Sequence, residues 1–528
     1  MSQEKDTALI EHLSKQGIDD KMVMGHPAGL FVLFFTEMWE RFSYYGMRAL
    51  LTVFLITEIG KGGWEWTNAE AMQLYAWYTG LVYLTPLIGG MIADKFTGFR
   101  KAILLGALIM TLGHASMALE VFSPYFFYAG LAFMILGNGL FKPNISSMVG
   151  NLYPDSSSKK DAGYTIFYMG INAGAFLGML LCGYIGEKVG WHWGFGLAGV
   201  FMLFGMLQFY FGQKIFGIIG EEPVKADAVD NQKIEEDVQE KETAAHIVRD
   251  RLIVVGVLMV ASIFFFFAFE QAGGSMTVFA KNYTQRVLEG STGTIFKWID
   301  AILTIFPILI VTWVLFGLGK KIYKNYPSTI IFTGISFAII WVLGGWKVYK
   351  EFSLEQTEVT VSWFQILNSF FIITLASSFS KLWEKVWNPS GPVKFAMGLT
   401  LVGVGFVVLS LGASSIPQGA ATASVSMLWL VGAYFFHTMG ELCLSPVGLS
   451  YVSKLSPKRL AGLLFGLWFT ASAIANFIAG MTGSYIDKIS TMYSMSTFFL
   501  IIAAIPIFAA VLLLVFNPKL KKMMHGIN

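Results

Sequence analysis

Charged residues are scarce in this chain of 528 residues. They make up 13% of the sequence, whereas 55% of the residues are hydrophobic and the mean hydropathy is +0.61. A soluble domain carries about 25% charged residues, so this composition excludes an ordinary soluble protein and indicates a membrane protein. The net charge of +3 gives no indication of nucleic-acid binding.

Cysteines and processing signals are also scarce. Only Cys182 and Cys443 are present, both in apolar segments, which argues against a disulfide framework and favours small buried packing residues. The N-terminus is polar for about 25 residues and has no apolar region before a cleavage site, so no cleaved signal peptide is expected.

Common enzyme motifs are absent from the sequence. The chain has no P-loop, no Cys-x-x-Cys and no His-Glu-x-x-His. A membrane enzyme or a receptor is the alternative from another class, but no nucleophile–base pair, metal-ligand cluster or large soluble segment supports it. We therefore expect a protein that is not an enzyme and that has no cofactor and no metal.

Long apolar runs dominate what is present. Runs of roughly 18 or more residues predict membrane-spanning helices, because lipid leaves backbone polar groups no other partners over so many segments. We predict 14 such helices in an all-α membrane protein, six before and eight after a polar linker over 220–250. The runs cover residues 29–57, 70–94, 100–119, 124–148, 162–187, 193–213, 252–280, 298–318, 328–347, 363–383, 394–413, 423–446, 460–485 and 494–516.

Lysine and arginine concentrate in alternate loops. They follow the even-numbered runs, as the positive-inside rule predicts for cytoplasmic loops. Both termini are therefore predicted to be cytoplasmic. The residues concerned are Lys95, Arg100, Lys101, Lys159, Lys160, Lys320, Lys321, Lys324, Lys381, Lys385, Lys394, Lys454, Lys458, Arg459, Lys519, Lys521 and Lys522.

The first apolar run carries an unexpected stripe of ionisable residues. Charge inside a spanning helix is costly, so such residues must face protein or a water-filled cavity, and they commonly mark transport paths. On an ideal helix the stripe falls within an arc of roughly 140°. Its members are Glu37, Glu40, Arg41, Tyr44, Tyr45 and Arg48. A purely structural role in charge neutralisation is the less favoured alternative.

Polar residues also interrupt later apolar runs. Lys142 precedes a proline, and its alternative role is to snorkel towards the membrane surface. Tyr168 and Asn172 are four residues apart on one helix face, where they could equally form a hydrogen bond between helices. Glu270 follows a phenylalanine-rich segment and needs a cation, for which Arg48 is the natural candidate.

The twelfth run carries three polar residues at four-residue spacing, followed by a proline. These are His437, Glu441 and Ser445. Glu441 is a plausible partner of Lys142 on charge grounds. His437 is better explained as a packed histidine than as a proton carrier. The tenth run adds Asn368.

These motifs resemble a known family. The loop with Asp94, Gly98 and Arg100 resembles the signature between helices 2 and 3 of the major facilitator superfamily. The run Glu37-x-x-Glu40-Arg41-Phe-x-Tyr44-Tyr45-Gly46 resembles the hallmark of proton-coupled oligopeptide transporters, the POT or PTR2 family. Phe167-Tyr168-x-x-Ile171-Asn172-x-Gly174 and Glu441-Leu-Cys-Leu-Ser445-Pro446 are similar to further signatures of that family.

The resemblance implies a domain organisation. It predicts a cytoplasmic tail over 1–27, a six-helix bundle over 28–214, a cytoplasmic linker over 215–250 and a second bundle over 251–517. The order of motifs suggests that two helices over about 298–347 are inserted into the second bundle, although other bacterial members carry the extra pair between the bundles. Residues 518–528 are predicted to form a cytoplasmic tail.

The resemblance also implies roles for individual residues. Arg41 and Lys142 would hold a peptide carboxylate, with Tyr45 nearby, while Asn172, Asn368 and Glu441 would hold the amino terminus. The pocket lining would include Arg48, Tyr83, Tyr168, Phe266, Ser445 and Trp468. Protons would be taken up by Glu37 and Glu40, which exchange partners with Arg41 and Lys142. Arg48–Glu270 and Lys142–Glu441 would be salt bridges linking the bundles.

Three positions depart from the family pattern. Ala76 stands where mammalian relatives have a histidine, which leaves proton coupling to the carboxylates. Phe266 stands where many relatives have tryptophan, so an indole donor is missing. Ser369 stands where relatives often have proline.

The expected function is proton-driven symport of di- and tripeptides, and of peptide-like drugs. The expected location is a bacterial plasma or inner membrane, and the protein is expected to function as a monomer. The proton is the coupling ion. The alternative within transport is a relative that carries another small anionic or drug-like solute.

Overall fold

The computed structural model describes residues 2–154, 157, 159–222, 245–457 and 460–527. Most of the predicted linker, and the predicted loop residues Lys458 and Arg459, lie outside the described residues. Helices account for most of the described residues, so the prediction of an all-α membrane protein is confirmed.

The described residues contain 17 α-helices. In chain order they are α1 Ser2–Lys15, α2 Ala28–Ile56, α3 Asn68–Ile92, α4 Gly98–Ala118, α5 Pro124–Asn151, α6 Lys159–Lys188, α7 Trp191–Gly212, α8 Ala245–Phe269, α9 Ser275–Asn282, α10 Gly290–Ile322, α11 Pro327–Ser353, α12 Trp363–Lys381, α13 Gly391–Ala413, α14 Leu428–Leu455, α15 Ala461–Gly483, α16 Ile486–Met492 and α17 Met495–Met523.

Short elements connect these helices. Three 3₁₀ turns cover Ile59–Lys61, Gln213–Phe216 and Glu270–Gly273, and two π turns cover Ala93–Thr97 and Leu382–Val386. Two antiparallel ribbons are formed by β1 (Met22–Val23) with β2 (His26–Pro27) and by β3 (Val287–Leu288) with β4 (Thr357–Glu358).

Each predicted apolar run coincides with one of the long helices, apart from the seventh. That run is split into α8 and α9 by the 3₁₀ turn Glu270–Gly273. Eleven described helical segments, one of them joining α3 to α4, are long and apolar enough to cross a membrane. The exact number of crossings and the cytoplasmic termini stay predictions.

The predicted N-terminal tail is folded rather than extended. Residues of α1 pack inward, with Leu9 and Leu13 only 1% and 0% exposed. The segment after α1 is attached to the segment after α7, where the Ile218 amide donates to the Gln16 carbonyl at 3.0 Å. The sequence of α1 has only a few apolar residues, and so short an apolar pattern does not predict a helix.

The chain forms two compact units. The first unit comprises residues 1–64, 85–223 and 286–369, and the second comprises residues 65–84, 224–285 and 370–528. Residues 286–369 lie in the first unit although they belong in sequence to the predicted second bundle. Residues 65–84 lie in the second unit although they belong in sequence to the predicted first bundle. The boundaries of the predicted domains remain a prediction.

The inserted helices α10 and α11 pack within the first unit, although in sequence they fall inside the predicted second bundle. Specific side chains attach α11 to α7: the Thr333 hydroxyl donates to Gln208 Oε1 at 2.8 Å, and Phe211 stacks on Phe332 with ring centroids 5.4 Å apart. Phe337 also meets Phe35 of α2 edge to face at 5.7 Å. Aromatic and hydroxyl contacts of this kind are not visible in an apolar pattern.

Arg100, in the first turn of α4, attaches this end of the helix to the segment that follows α7. The Arg100 guanidinium donates to the Ile219 carbonyl at 2.6 Å and to the Gly217 carbonyl, and it lies 3.5 Å from a Glu221 carboxylate oxygen. Gly98 has φ +71° and lies against the backbone of Glu221, so any side chain there would be both strained and obstructed.

Candidate functional site

A carboxylate–arginine cluster lies buried in the middle of α2. Arg41 Nε is 3.0 Å from Glu37 Oε1 and also pairs with Glu40 Oε2. The side chains of Glu37, Glu40 and Arg41 are 2%, 0% and 3% exposed. Burying two acids and one base costs free energy unless their charges compensate one another, which explains why the three residues lie next to one another on the helix.

Helix α5 supplies two further members of this cluster. Asn138 Nδ2 donates to Glu40 Oε1 at 3.0 Å, and Asn138 is only 1% exposed. Lys142, one turn later and half-buried, acts electrostatically on both Glu37 and Glu40. This favours membership of the cluster over snorkelling to the membrane surface. Helix α5 continues through Pro143 to Asn151.

Five buried atoms of the cluster have no hydrogen-bond partner within the described residues: Arg41 Nε and Nη2, Glu37 Oε2, Glu40 Oε2 and Asn138 Oδ1. Arg41 Nε and Glu40 Oε2 form the ion pairs described above, whereas Arg41 Nη2 and Glu37 Oε2 have neither contact. A buried donor without a partner costs free energy of about 1–3 kcal/mol. Native proteins rarely tolerate this without a functional reason, so the guanidinium retains capacity to bind another acceptor.

Aromatic residues of α2 surround the guanidinium. The Arg41 guanidinium carbon lies 5.5 Å from the ring centroid of Tyr44 and 6.0 Å from that of Tyr45. The Arg48 guanidinium carbon lies 5.9 Å from the ring centroid of the same Tyr45. The predicted stripe therefore forms one connected group, held by cation–π contacts as well as ion pairs.

Close packing by α6 fixes the position of α2. A Cβ atom on Gly174 would lie 2.1 Å from the Met38 carbonyl oxygen and 3.0 Å from Arg41 Cβ, and one on Gly178 would lie 2.2 Å from the Phe42 carbonyl oxygen. Only glycine permits this approach. Small residues at four-residue spacing are a common means of packing helices in membranes.

The predicted pair on α6 bonds within its own helix. Asn172 Nδ2 donates to the Tyr168 carbonyl at 3.0 Å, so this hydrogen bond does not link two helices. Asn172 is 7% exposed and Tyr168 is 46% exposed. Asn368 lies in the first turns of α12, half-buried, and belongs to the same unit.

The second unit contains the other predicted residues. Glu270 lies in the 3₁₀ turn after α8 and is 5% exposed, and Phe266 precedes it by one helical turn. Phe266 contacts the rings of Phe265 and Phe269 at centroid distances of 5.3 and 6.3 Å. The absent indole of the family pattern is thus replaced by an aromatic cluster.

Helix α3 explains the missing histidine. Ala76 is fully buried, and a Cβ atom on Gly480 of α15 would lie 2.6 Å from both its Cα and Cβ atoms. The two backbones are too close for an imidazole at position 76. Tyr83, two turns further along α3, is half-buried.

Helices α14 and α15 hold the remaining predicted residues. Glu441 and Ser445 are half-buried, and Ser445 Oγ has no hydrogen-bond partner among the described residues. Trp468 is 5% exposed and meets Phe395 edge to face at 6.5 Å. His437 is 1% exposed and its ring lies 4.5 Å from that of Phe406, which fits the packed histidine expected from the sequence.

The structure therefore joins Glu37, Glu40, Arg41 and Lys142 into one cluster within the first unit. The predicted bridges Arg48–Glu270 and Lys142–Glu441 stay predictions. Asn138 was not predicted as a site residue. Its signal was its position four residues before Lys142, on the same face of α5.

Comparison with known proteins gives the family. The profile PTR2, described as the POT family, matches residues 100–229 and 340–501, which is more than half of the chain. The chain is similar to the uncharacterized transporter YclF of Bacillus subtilis, with 35% identity covering 97% of this chain and 98% of that protein. It is 32% identical to a di-/tripeptide transporter of Lactococcus lactis subsp. cremoris, covering 96% of this chain and 99% of the relative.

A solved structure has a similar fold. The crystal structure of a mutant peptide transporter POT in complex with alafosfalin aligns with a TM-score of 0.74 and 29% identity, covering 99% of both chains. The hallmark run of α2, the second signature on α6 and the matched family profile agree. The chain belongs to the POT family of the major facilitator superfamily and is a multi-pass membrane transporter, not an enzyme.

Proposed function

We propose that this protein imports di- and tripeptides together with protons by alternating access. The observation that carries the proposal is the buried Arg41, which is shared by Glu37 and Glu40 and retains an unpartnered Nη2 donor in the described part of the chain. The similarity to a di-/tripeptide transporter of Lactococcus lactis and to a peptide transporter POT in complex with alafosfalin supports peptides as the substrate class.

Charge balance explains how proton and peptide binding are linked. With both carboxylates ionised, Glu37 and Glu40 are neutralised by Arg41 and Lys142, and the cluster has no net charge. Protonation of one carboxylate leaves a net charge of +1 in a buried site, which is unfavourable. A peptide carboxylate that binds Arg41 and Lys142 restores neutrality, so each event favours the other.

The amino terminus of the peptide needs acceptors of its own. We assign this role to Glu441 with Asn172 and Asn368. A site that recognises only the two termini of the peptide does not depend on the peptide's side chains, which is consistent with broad substrate choice. Further contacts are assigned to Tyr45, Arg48, Tyr83, Tyr168, Phe266, Ser445 and Trp468, of which Ser445 retains an unpartnered hydroxyl within the described residues.

Conformational coupling is assigned to ion pairs. A protonated Glu37 or Glu40 frees Arg41 or Lys142 to change partner, and the loss of a Lys142–Glu441 or an Arg48–Glu270 pair would favour rocking of the helical bundles. A monomer is sufficient for this cycle, and we propose the monomer as the functional state.

Dialanine should displace substrate in proteoliposomes that contain the purified protein. Counterflow of labelled dialanine is measured against unlabelled dialanine, N-acetyl-dialanine and dialanine amide. We expect dialanine to compete at a Kd of about 1 mM or tighter, which corresponds to about −4.1 kcal/mol, and each blocked analogue to compete at least about tenfold more weakly.

Other outcomes identify other solutes. If millimolar dialanine fails to compete while a small anion or drug-like molecule does, the peptide assignment is wrong and the alternative within transport is favoured. If no solute is accumulated at all, the protein is not a transporter of the proposed kind. Equal competition by the amide would remove the role of Arg41 and Lys142 in carboxylate binding.

A further inference from the structure

A half-buried carboxylate, Glu187, lies outside the cluster near the end of α6. Glu187 Oε2 accepts a hydrogen bond from the Val361 amide at 2.7 Å, while Oε1 accepts from the Ser362 amide at 2.9 Å and from the Ser362 hydroxyl at 2.7 Å. All of these residues belong to the first unit. The resemblance to the family assigned no role to Glu187.

Gly183 completes a socket for Ser362. It lies one helical turn before Glu187, so both residues are on the same face of α6. A Cβ atom on Gly183 would lie 2.1 Å from Ser362 Oγ. We call the site formed by Gly183 and Glu187 the serine socket. The glycine leaves space for the Ser362 side chain, and the carboxylate accepts its hydrogen bonds.

The serine socket binds the beginning of α12. Helix α12 begins at Trp363, so the carboxylate accepts hydrogen bonds from the amides of Val361 and Ser362, the two residues that lead into the helix. A negative charge at this end also interacts favourably with the helix dipole. Trp363 Nε1 adds a second attachment by donating to Asp300 of α10 at 3.2 Å.

Asn368 lies six residues after Ser362, about 9 Å along the axis of α12 at 1.5 Å per residue. Its side-chain position therefore depends on the place and rotation of the first turn. We infer that Gly183 and Glu187 are positioning residues for peptide binding, which act by fixing α12 and thereby Asn368. This inference rests on the proposed role of Asn368 in binding the peptide amino terminus.

A double-mutant cycle tests the inference. Dialanine affinity is measured by counterflow competition for the wild type, Glu187→Gln, Asn368→Ala and the double variant. Glu187→Gln is expected to weaken dialanine binding by about tenfold, and in the Asn368→Ala background it should cause almost no further loss, as coupled residues do in such cycles. The neighbouring Lys188→Met removes an ion pair between Lys188 and Glu358 that is partly exposed, and it should leave affinity unchanged.

Three results would overturn the inference. The first is that the two single losses multiply in the double variant, because independent sites are additive in free energy. The second is an unchanged affinity of Glu187→Gln, and the third is the same loss for Lys188→Met. If Glu187→Gln does not fold, as judged by its thermal unfolding in detergent, Ser362→Ala takes its place in the cycle, because it keeps the two hydrogen bonds that the Val361 and Ser362 amides donate to Glu187. Failure of the wild type to bind dialanine would instead refute the proposed function.

Discussion

Glu37→Gln and Glu40→Gln should each reduce proton-driven dipeptide uptake strongly while leaving counterflow intact. Glutamine has the shape of a protonated glutamic acid but cannot release a proton, so the cluster keeps the charge that favours peptide binding. Glutamine can still accept a hydrogen bond from Arg41, but the charge-assisted part of the interaction is lost; a hydrogen bond to a charged group is worth about 1.5–3 kcal/mol, or about 10- to 150-fold.

The measurement is initial uptake of labelled dialanine into proteoliposomes with and without an inward proton gradient. Gradient-driven uptake should fall by at least about tenfold in each variant, in line with that free energy. Glu11→Gln is the matched control, because Glu11 is an exposed carboxylate of α1. If both cluster variants retain gradient-driven uptake, the carboxylates do not couple protons to transport.

Gly174→Ala should destabilise the protein and reduce dipeptide uptake. The added Cβ atom would lie 2.1 Å from the Met38 carbonyl oxygen, so α6 must move away from α2. Because the same Cβ atom would lie 3.0 Å from Arg41 Cβ, the position of Arg41 must change as well. Overpacking of this kind costs about 1–3 kcal/mol of unfolding free energy. Thermal unfolding in detergent and dialanine uptake are measured together.

Gly334→Ala provides the control for this change. Gly334 also lies inside a helix, α11, but a Cβ atom there would meet no atom within 4 Å. The replacement should be neutral or stabilise the protein by about 0.5–1 kcal/mol, because alanine loses less backbone entropy on folding than glycine. Equal unfolding temperatures for the two variants would show that the close approach of α2 and α6 is unimportant.

Much of the fold could be predicted from sequence because membrane helices need long apolar runs. The apolar pattern does not predict that the seventh run is divided at Glu270. That break follows from the local turn geometry around Gly273 and Gly274. The apolar pattern also cannot show that α11 packs against α7, because the deciding contact, Thr333 to Gln208, joins residues 125 positions apart.

The site was predicted best where charge is costly. Glu37, Glu40 and Arg41 stand out because lipid forbids unpaired charges, and the structure pairs them. Asn138 and Glu187 were missed for different reasons. Asn138 is neutral and short, and its importance appears only through its hydrogen bond to Glu40. Glu187 lies at the end of an apolar run, where a carboxylate usually faces water.

Peptide-dependent proton entry tests the central claim most directly. Proteoliposomes containing a trapped pH indicator are placed in a medium of equal pH, the membrane potential is set negative inside, and dialanine is added. We predict that dialanine acidifies the lumen in the wild type and that dialanine amide does not. Uptake of labelled dialanine without any acidification would contradict proton-coupled peptide symport.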